Sequence, residues 1–222
     1  MKDKPNEWVS ISDLMAGVMA VIMLMLVVSV LQNKAAEAAS QAERQLQEAA
    51  RSKGLDNLLA QLQADLAQHG QSALVDIDLA SRRLTLPDDA FARGSACVTP
   101  ATEAVLVRLG TRIARFMQDN AQAQVQVEGH TDNVPVSRAV TDIRRFCTVY
   151  DDNFTLSAAR AREARKRLVA ALDARQALRV VVAGYGDSRP RPGIDPASPL
   201  NRRVEIQLLM VPQLAAASQE RF

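Results

Sequence analysis

The sequence predicts an α+β domain that follows a single N-terminal transmembrane helix. Residues 14–31 contain no charged side chain, and a spanning helix needs about 20 apolar residues. After Gln71, apolar residues alternate in some segments and recur every three to four positions in others, which are the periods of strands and helices. Strands and helices that interleave in this order favour helices packed on one face of a mixed sheet.

The composition argues against several functional classes. The 222 residues include 27 basic and 25 acidic side chains, giving a net charge of +2, and aromatic residues make up only 4%. This balance does not suit a nucleic-acid partner. Two cysteines and two histidines argue against a zinc site, and no nucleophile, metalloprotease or phosphate-loop motif indicates an enzyme. No metal and no cofactor is expected.

The apolar segment predicts a transmembrane helix over residues 9–32, after a cytoplasmic N-terminus of residues 1–8. Trp8 stands where an interfacial aromatic anchor belongs. A cleaved signal peptide is the alternative, because alanines near position 36 resemble a cleavage site. The apolar run is longer than a signal core of about 7–15 residues, however, and acidic residues precede it. We expect a single-pass protein of the bacterial inner membrane with a periplasmic C-terminal domain.

Asp13 is the candidate proton carrier. An ionisable side chain at the start of a membrane helix is costly and is treated by default as a functional site. The alternative is a helix N-cap in the headgroup region. Ser12, Ala16 and Ala20 form a stripe of small residues beside Asp13, and such stripes let helices approach closely. One helix cannot form a pore, so the partner helices would come from other chains.

Residues 33–70 predict a helical connector, because strong helix formers dominate there. A break near Ser52–Gly54 would divide it into two helices. The second half carries an apolar stripe that would either pair with its copy in a dimer or pack on the following domain. Its members are leucines at helical spacing: Leu55, Leu58, Leu59, Leu62 and Leu66.

The remaining periodicities predict the elements of a domain over residues 71–212, followed by a tail at residues 213–222. Alternation over residues 75–79 and 84–86 indicates a β-hairpin or two short strands. Thr99 and Pro100 open a helix, and residues 125–127 form a strand. After a polar segment, a helix runs from Ser157 to about Ala174. The segments RVVVAGYG and RRVEIQLLM indicate two final strands.

Four sequence landmarks in this domain resemble those of the OmpA-like peptidoglycan-binding domain. In order along the chain they are VEGHTDN, LSAARAREARKRL, VVAGYGDSRP and NRRVEI. Together they cover residues 72–211. The resemblance implies a non-covalent anchor to the cell wall that binds the diaminopimelate of the peptidoglycan stem peptide.

The resemblance places the ligand-binding pair at Asp132 and Arg160. An aspartate can accept from the ammonium of the zwitterionic end of diaminopimelate, and an arginine can bind its carboxylate. With Ser157 as N-cap, Arg160 would lie in a first helical turn, which favours anions. The alternative is that Asp132 caps a turn and Arg160 pairs with a nearby acid. Further peptidoglycan-facing candidates are Thr131, Asn133, Leu156, Asn201 and Arg202.

The segment from Asn133 to Leu156 is longer than the simple family loop and resembles the variant found in flagellar-stator B subunits. Cys147 lies in this segment and Cys97 precedes the first helix of the domain. In an oxidising periplasm the two are expected to form a disulfide. Two free buried thiols are the alternative.

The layout as a whole resembles stator-like B subunits of the MotB/OmpA-like family. The resemblance implies a homodimer inside a ring of A-type subunits (MotA- or ZorA-like), with Asp13 carrying protons as the transported ion. The segment WVSISDLMAGVMAVIMLMLV resembles the ZorB subunits of Zorya anti-phage systems more than flagellar MotB. A flagellar stator subunit and a passive envelope anchor without ion conduction are the alternatives.

Overall fold

The structure, a computed structural model, describes the backbone of residues 7–211 and the side chains of residues 14–50 and 52–211. The chain divides into two compact units, Met1–Ser52 and Lys53–Phe222. The side chains of Ser12 and Asp13 and the predicted C-terminal tail lie outside the described residues.

The first unit consists of the N-terminal part of helix α1, Glu7–Gln68. Every large apolar side chain from Leu14 to Leu31 is exposed, and the mean hydropathy of the most apolar stretch is 2.8. Among the described residues, this is the one helical segment that is apolar and long enough to cross a membrane. A continuous apolar helix surface of this kind needs lipid or other helices to cover it.

Helix α1 continues through Ser52–Gly54, so the prediction of a break there was wrong. A single glycine in a helix costs only about 1 kcal/mol, and the strong helix formers around it offset that cost. The five leucines of the apolar stripe are buried in the core of the second unit. Of the two alternatives for this stripe, packing on the following domain is therefore confirmed.

The second unit contains a mixed five-stranded sheet in the order β1-β2-β5-β3-β4. Strands β3 and β4 are parallel and the other neighbours are antiparallel. The predicted hairpin and the three later strands are confirmed. The strands are β1 Asp76–Asp78, β2 Arg83–Pro87, β3 Ala123–His130, β4 Val180–Gly184 and β5 Arg203–Met210.

Two long helices pack with this sheet around one apolar core. Helix α2, Pro100–Asp119, begins after the N-cap Thr99 with proline at its first position, as predicted. Helix α4, Asn153–Leu168, connects β3 to its parallel neighbour β4. The α+β class is thereby confirmed. Two short helices complete the domain: α3 Ile143–Phe146 and α5 Ala174–Ala177.

Glycines in the sheet let α4 approach the strands closely. A Cβ atom at Gly129 of β3 would overlap the backbone carbonyl of Ser157, and one at Gly184 of β4 would meet Ala158 at 2.5 Å. Both contacts involve the first half of α4. Because the two glycines have no side chain, the helix turn that carries Arg160 can lie directly against β3 and β4.

Candidate functional site

The ends of β2 and β3 and the start of β5 meet at one edge of the sheet, where these strands terminate. Strand β5 is antiparallel to both β2 and β3, with Arg203 opposite Pro87 on one side and His130 on the other. The residues that follow β2 and β3 therefore lie beside the residue that precedes β5. This edge carries three charged side chains: Asp88, Asp132 and Arg202.

These side chains and Arg160 form a row in which positive and negative charges alternate. Arg202 donates from Nη1 to Oδ2 of Asp132 at 2.7 Å and from Nε to Oδ2 of Asp88 at 3.0 Å. The other oxygen of Asp88, Oδ1, accepts from Nη1 of Arg160 at 2.9 Å. Asp132 and Arg160 thus belong to one network, which Arg202 and Asp88 connect.

Arg160 is held from several directions although it carries a full charge. Its side chain is only 3% exposed. Nε donates to the carbonyl oxygen of Ser95 at 2.9 Å, and the guanidinium lies 5.2 Å from the centre of the Phe91 ring. Since an unpaired buried charge would be strongly destabilising, the carboxylate of Asp88 is necessary for this arrangement.

Helix α4 begins earlier than predicted, and Ser157 is not its N-cap. Asp152 takes that position and accepts from the backbone N–H of Thr155 at 2.7 Å, a hydrogen bond that lowers the pKa of the Asp152 carboxyl. Ser157 is fully buried, and its hydroxyl accepts from the backbone N–H of Gly186. Arg160 therefore lies about two turns into the helix, so helix-terminal N–H groups do not assist it in binding an anion.

A cavity of about 850 Å³ opens beside the charged row. The acidic side chains that line it are Asp88 and Asp89, whereas Asp132 does not contribute to its wall. The lining is rich in positive charge, which favours ligands with carboxylate groups. Five arginines contribute: Arg93, Arg160, Arg191, Arg202 and Arg203.

Arg202 remains charged within the row. Partial burial opposes its positive charge, but the hydrogen bonds and negative charges of Asp132 and Asp88 outweigh burial and raise its pKa above the ordinary value. The side chain is 33% exposed, compared with 7% for that of Asp132. Arg202 is therefore the member of this pair that solvent reaches.

A disulfide joins Cys97 to Cys147, which confirms the predicted pairing. It connects the loop before α2 to the long segment between β3 and α4. Next to it, the hydroxyl of Ser95 donates to the carbonyl oxygen of Phe146 at 3.0 Å. The cross-link thus fixes the loop whose Ser95 carbonyl binds Arg160.

The remaining predicted candidates lie in different surroundings. Leu156 lines the cavity. Asn133 is exposed, whereas Thr131 is buried. Asn201 is fully buried, and its side-chain oxygen accepts from the backbone N–H of Arg191 at 2.9 Å. Asn201 therefore holds the loop before β5 in place.

A second buried polar cluster lies on the sheet near this edge. Nε2 of His130 is 3.9 Å from Oε2 of Glu128. Burial, followed by the nearby charge of Arg203, lowers the pKa of His130 to about 4. The ligand atoms of Glu128, His130 and Glu205 lie within 4.8 Å of one another. However, the two oxygens of Glu205 accept from Arg203 and Arg83, each at 2.6 Å, so we assign no metal to this cluster.

Sequence reasoning missed two residues of the site. Asp88 connects the two arginines, and Asn153 donates from Nδ2 to the carbonyl oxygens of Asp132 and Val134 at 3.1 and 3.0 Å. Asp88 lies two residues after Leu86, the last residue of a predicted strand, and loops that follow strands often carry functional side chains. Its position after a strand was the signal by which the sequence could have identified Asp88. Nothing in the local sequence separates Asn153 from its polar neighbours.

Comparisons with known proteins agree with this fold. Residues 90–203 match the model of the OmpA family, and the chain belongs to that family. A Desulfovibrio vulgaris protein described as MotB-like is 19% identical with a TM-score of 0.53, over 72% of this chain and 96% of that chain. A search among curated protein sequences finds no match.

Two further solved structures have lower TM-scores. The cell wall anchor of the T6SS from Pseudomonas aeruginosa is 31% identical with a TM-score of 0.49, over 69% of this chain and 96% of that chain. The periplasmic domain of Helicobacter pylori MotB is 22% identical with a TM-score of 0.43, over 58% of this chain and 75% of that chain.

Proposed function

We propose that this chain is the B subunit of a stator-like motor of the inner membrane, anchored to peptidoglycan by its C-terminal domain. One observation carries the proposal. A single chain combines an exposed apolar helix suited to a membrane with an OmpA-family domain whose cavity is bordered by alternating guanidinium and carboxylate groups.

The charged row suits a zwitterionic ligand. The end of diaminopimelate carries an ammonium and a carboxylate on one carbon atom, so it can pair with two opposite charges that are adjacent in the protein. Asp132 and Arg160 are the pair that the sequence resemblance assigns to this ligand. In this proposal the domain binds the stem peptide and holds the subunit stationary against the cell wall.

In this proposal the membrane helix carries the side chain that transfers protons. Two copies of the helix lie inside a ring of A-type subunits, and Asp13 binds and releases protons as the ring moves past it. A carboxylate shielded from lipid by partner helices can exchange protons, because a low-dielectric surrounding favours its neutral form. The resemblance of residues 8–27 to ZorB supports a role in anti-phage defence.

Binding to purified peptidoglycan tests the anchoring role. The full chain in detergent is sedimented with sacculi, and the bound fraction is measured. We expect Asp132→Ala and Arg160→Ala to abolish binding, whereas Asp13→Asn should bind as the wild type does. Arg144→Ala is the matched control, because this exposed arginine of α3 lies outside the cavity. Unchanged binding by both site variants would exclude the assigned site.

A further inference from the structure

The cavity carries more positive charge than the acidic side chains around it neutralise. Five arginines line it, compared with two aspartates. Arg160 and Arg202 share the carboxylate of Asp88, and Arg203 pairs with Glu205, which does not line the cavity. Two arginines of the lining are left, and these pairs do not cancel their positive charge.

Arg93 and Arg191 are these two arginines. Among the residues that the structure describes, neither forms an ion pair. Asp89, the second acid of the lining, is exposed and is not paired with either guanidinium. A guanidinium without a carboxylate partner can bind one from a ligand through two parallel hydrogen bonds. The two arginines therefore offer a place for an anionic group of a ligand in the cavity.

The loop that carries Arg93 contacts Arg160 and is held at several points. The carbonyl oxygen of Ser95, two residues after Arg93, accepts from Nε of Arg160 at 2.9 Å. The carbonyl oxygen of Gly94 accepts from the hydroxyl of Tyr150 at 2.6 Å. Because the backbone next to Arg93 is fixed in this way, a contact with its guanidinium requires little additional ordering of the loop.

The backbone of Arg191 is fixed close to Arg202. Its N–H donates to Oδ1 of Asn201 at 2.9 Å, and Asn201 is fully buried and directly precedes Arg202. The carbonyl oxygen of Arg191 accepts from the backbone N–H of Ile194 at 3.1 Å. Arg93 and Arg191 thus line the cavity from two fixed loops, of which one contacts Arg160 and the other adjoins Arg202.

The stem peptide carries a carboxylate that the pair of Asp132 and Arg160 leaves unmatched. The end of diaminopimelate that this pair binds in the proposed function is zwitterionic, so it adds no net charge to the cavity. The α-carboxylate of the γ-linked D-glutamate, the residue before diaminopimelate, does add a negative charge. It is present whether the peptide ends at diaminopimelate or continues with D-alanine. The cavity of about 850 Å³ lies within the range of about 300–1,000 Å³ that is typical of small-molecule sites, so it has room for both residues.

We propose that Arg93 and Arg191 form a subsite that binds the α-carboxylate of D-glutamate in the stem peptide. The domain then distinguishes peptidoglycan in which this carboxylate is free from peptidoglycan in which it is amidated to D-isoglutamine. This inference rests on the proposed peptidoglycan-binding function and extends it from diaminopimelate to the preceding residue of the peptide.

The test combines a change in the ligand with a change in the protein. The full chain in detergent micelles is titrated calorimetrically with the tetrapeptide L-Ala-γ-D-Glu-meso-diaminopimelate-D-Ala, and with the same peptide carrying D-isoglutamine. We expect this amidation to weaken binding to the wild type about tenfold, the scale of one charge-assisted contact. The double variant with Arg93→Gln and Arg191→Gln should bind the two peptides with affinities within about twofold of each other.

A matched variant and a third peptide serve as controls. Arg144→Gln with Arg175→Gln removes the same charge from exposed positions outside the cavity lining and should discriminate between the peptides as the wild type does. A tetrapeptide with free D-glutamate and an amidated C-terminus should bind the wild type as tightly as the first peptide. Thermal unfolding of each variant verifies that it is folded at the titration temperature.

The outcomes separate this inference from the proposed function. Equal affinity of the wild type for the first two peptides would overturn the inference and leave the anchoring role intact, and so would a tenfold preference that persists in the double variant of Arg93 and Arg191. If amidation of the C-terminus weakens binding to the wild type but not to that variant, the subsite binds the C-terminal carboxylate and the inference is also wrong. If the wild type binds neither the tetrapeptide nor sacculi, the proposed function itself fails.

Discussion

Arg202 and Asp132 are joined by a hydrogen bond of 2.7 Å although 70 residues separate them in the sequence. The antiparallel pairing of β3 with β5 brings them together, because the end of one strand meets the start of the other. Arg202 also contacts Asp88. The sheet register therefore places the charged row beside the cavity before any ligand binds.

Removing the guanidinium of Arg202 should destabilise the domain as well as weaken ligand binding. In Arg202→Ala the nearly buried carboxylate of Asp132 loses its charged partner, which we expect to lower the free energy of unfolding by about 1–3 kcal/mol. Urea denaturation measures the difference. Arg93→Ala is the control, since the structure shows no ion pair for Arg93 among the described residues. A stability equal to that of the wild type would show that solvent can replace Arg202.

His130 should make the stability of the domain dependent on pH. Its pKa in the folded protein is about 4, below the value of about 6.5 for an exposed histidine, so the unfolded state binds more protons between these values. The stabilising contribution is present above about pH 6.5 and is lost as the pH falls towards about 4, on the order of 3 kcal/mol in total.

The variant His130→Gln isolates this contribution. Urea denaturation of the variant and the wild type at several pH values should give curves that approach each other as the pH falls, because only the wild type loses the histidine contribution. His69→Gln is the control, since His69 is exposed. A constant difference between His130→Gln and the wild type across this range would contradict the shifted pKa.

Substitution by alanine should have opposite effects on the stability of the domain at Gly129 and at Gly54. A Cβ atom at Gly129 would overlap the backbone of Ser157, whereas at Gly54 the nearest atom, in the ring of Phe116, is 3.8 Å away. Gly129→Ala should therefore destabilise the domain by about 3 kcal/mol or more. Gly54→Ala should stabilise it by about 0.5–1 kcal/mol. Thermal unfolding of both variants tests the close approach of α4 to β3.

The disulfide should contribute to both stability and binding. It closes a loop with a sequence separation of 50, for which the chain-entropy model gives about 4 kcal/mol. We expect Cys97→Ser with Cys147→Ser to lose about 2–4 kcal/mol and to bind sacculi more weakly, because the Ser95 loop no longer holds Arg160 firmly. Dithiothreitol should have the same effect on the wild type and none on the double variant. A response of the double variant would indicate that the reductant acts elsewhere.

The sequence was sufficient for the main strands and helices of the domain but not for their exact bounds or for all contacts of the site. Alternation predicted β2 and the first half of β3, and helical spacing predicted α2, because buried residues recur there at regular intervals. The N-cap of α4 was misplaced, since Asp152 and Ser157 are both good capping residues and only tertiary packing distinguishes them. Asp88 was missed because its partners lie 72 and 114 residues away, and their proximity depends on the order of strands in the sheet.

Asp13 should be necessary for ion flow and unnecessary for anchoring. Asparagine has nearly the shape of aspartate but cannot bind and release a proton near neutral pH. We expect Asp13→Asn to abolish proton flux in proteoliposomes that contain the A-type subunits, while membrane insertion and binding to sacculi persist. Asp3→Asn makes the same chemical change outside the predicted span and should leave flux intact. Flux that persists in Asp13→Asn would show that Asp13 is not the proton carrier, whereas the absence of flux in the wild type would favour a passive anchor.

The same variant can separate defence from motility in cells that carry the native operon. Loss of phage resistance with normal swimming would support a Zorya-type role, whereas loss of swimming alone would support a flagellar stator. Both outcomes require the apolar helix to remain attached to the mature chain. The mass of the intact protein from membranes tests this requirement, because cleavage after the apolar segment would remove Asp13 and leave the peptidoglycan-binding domain without an ion pathway.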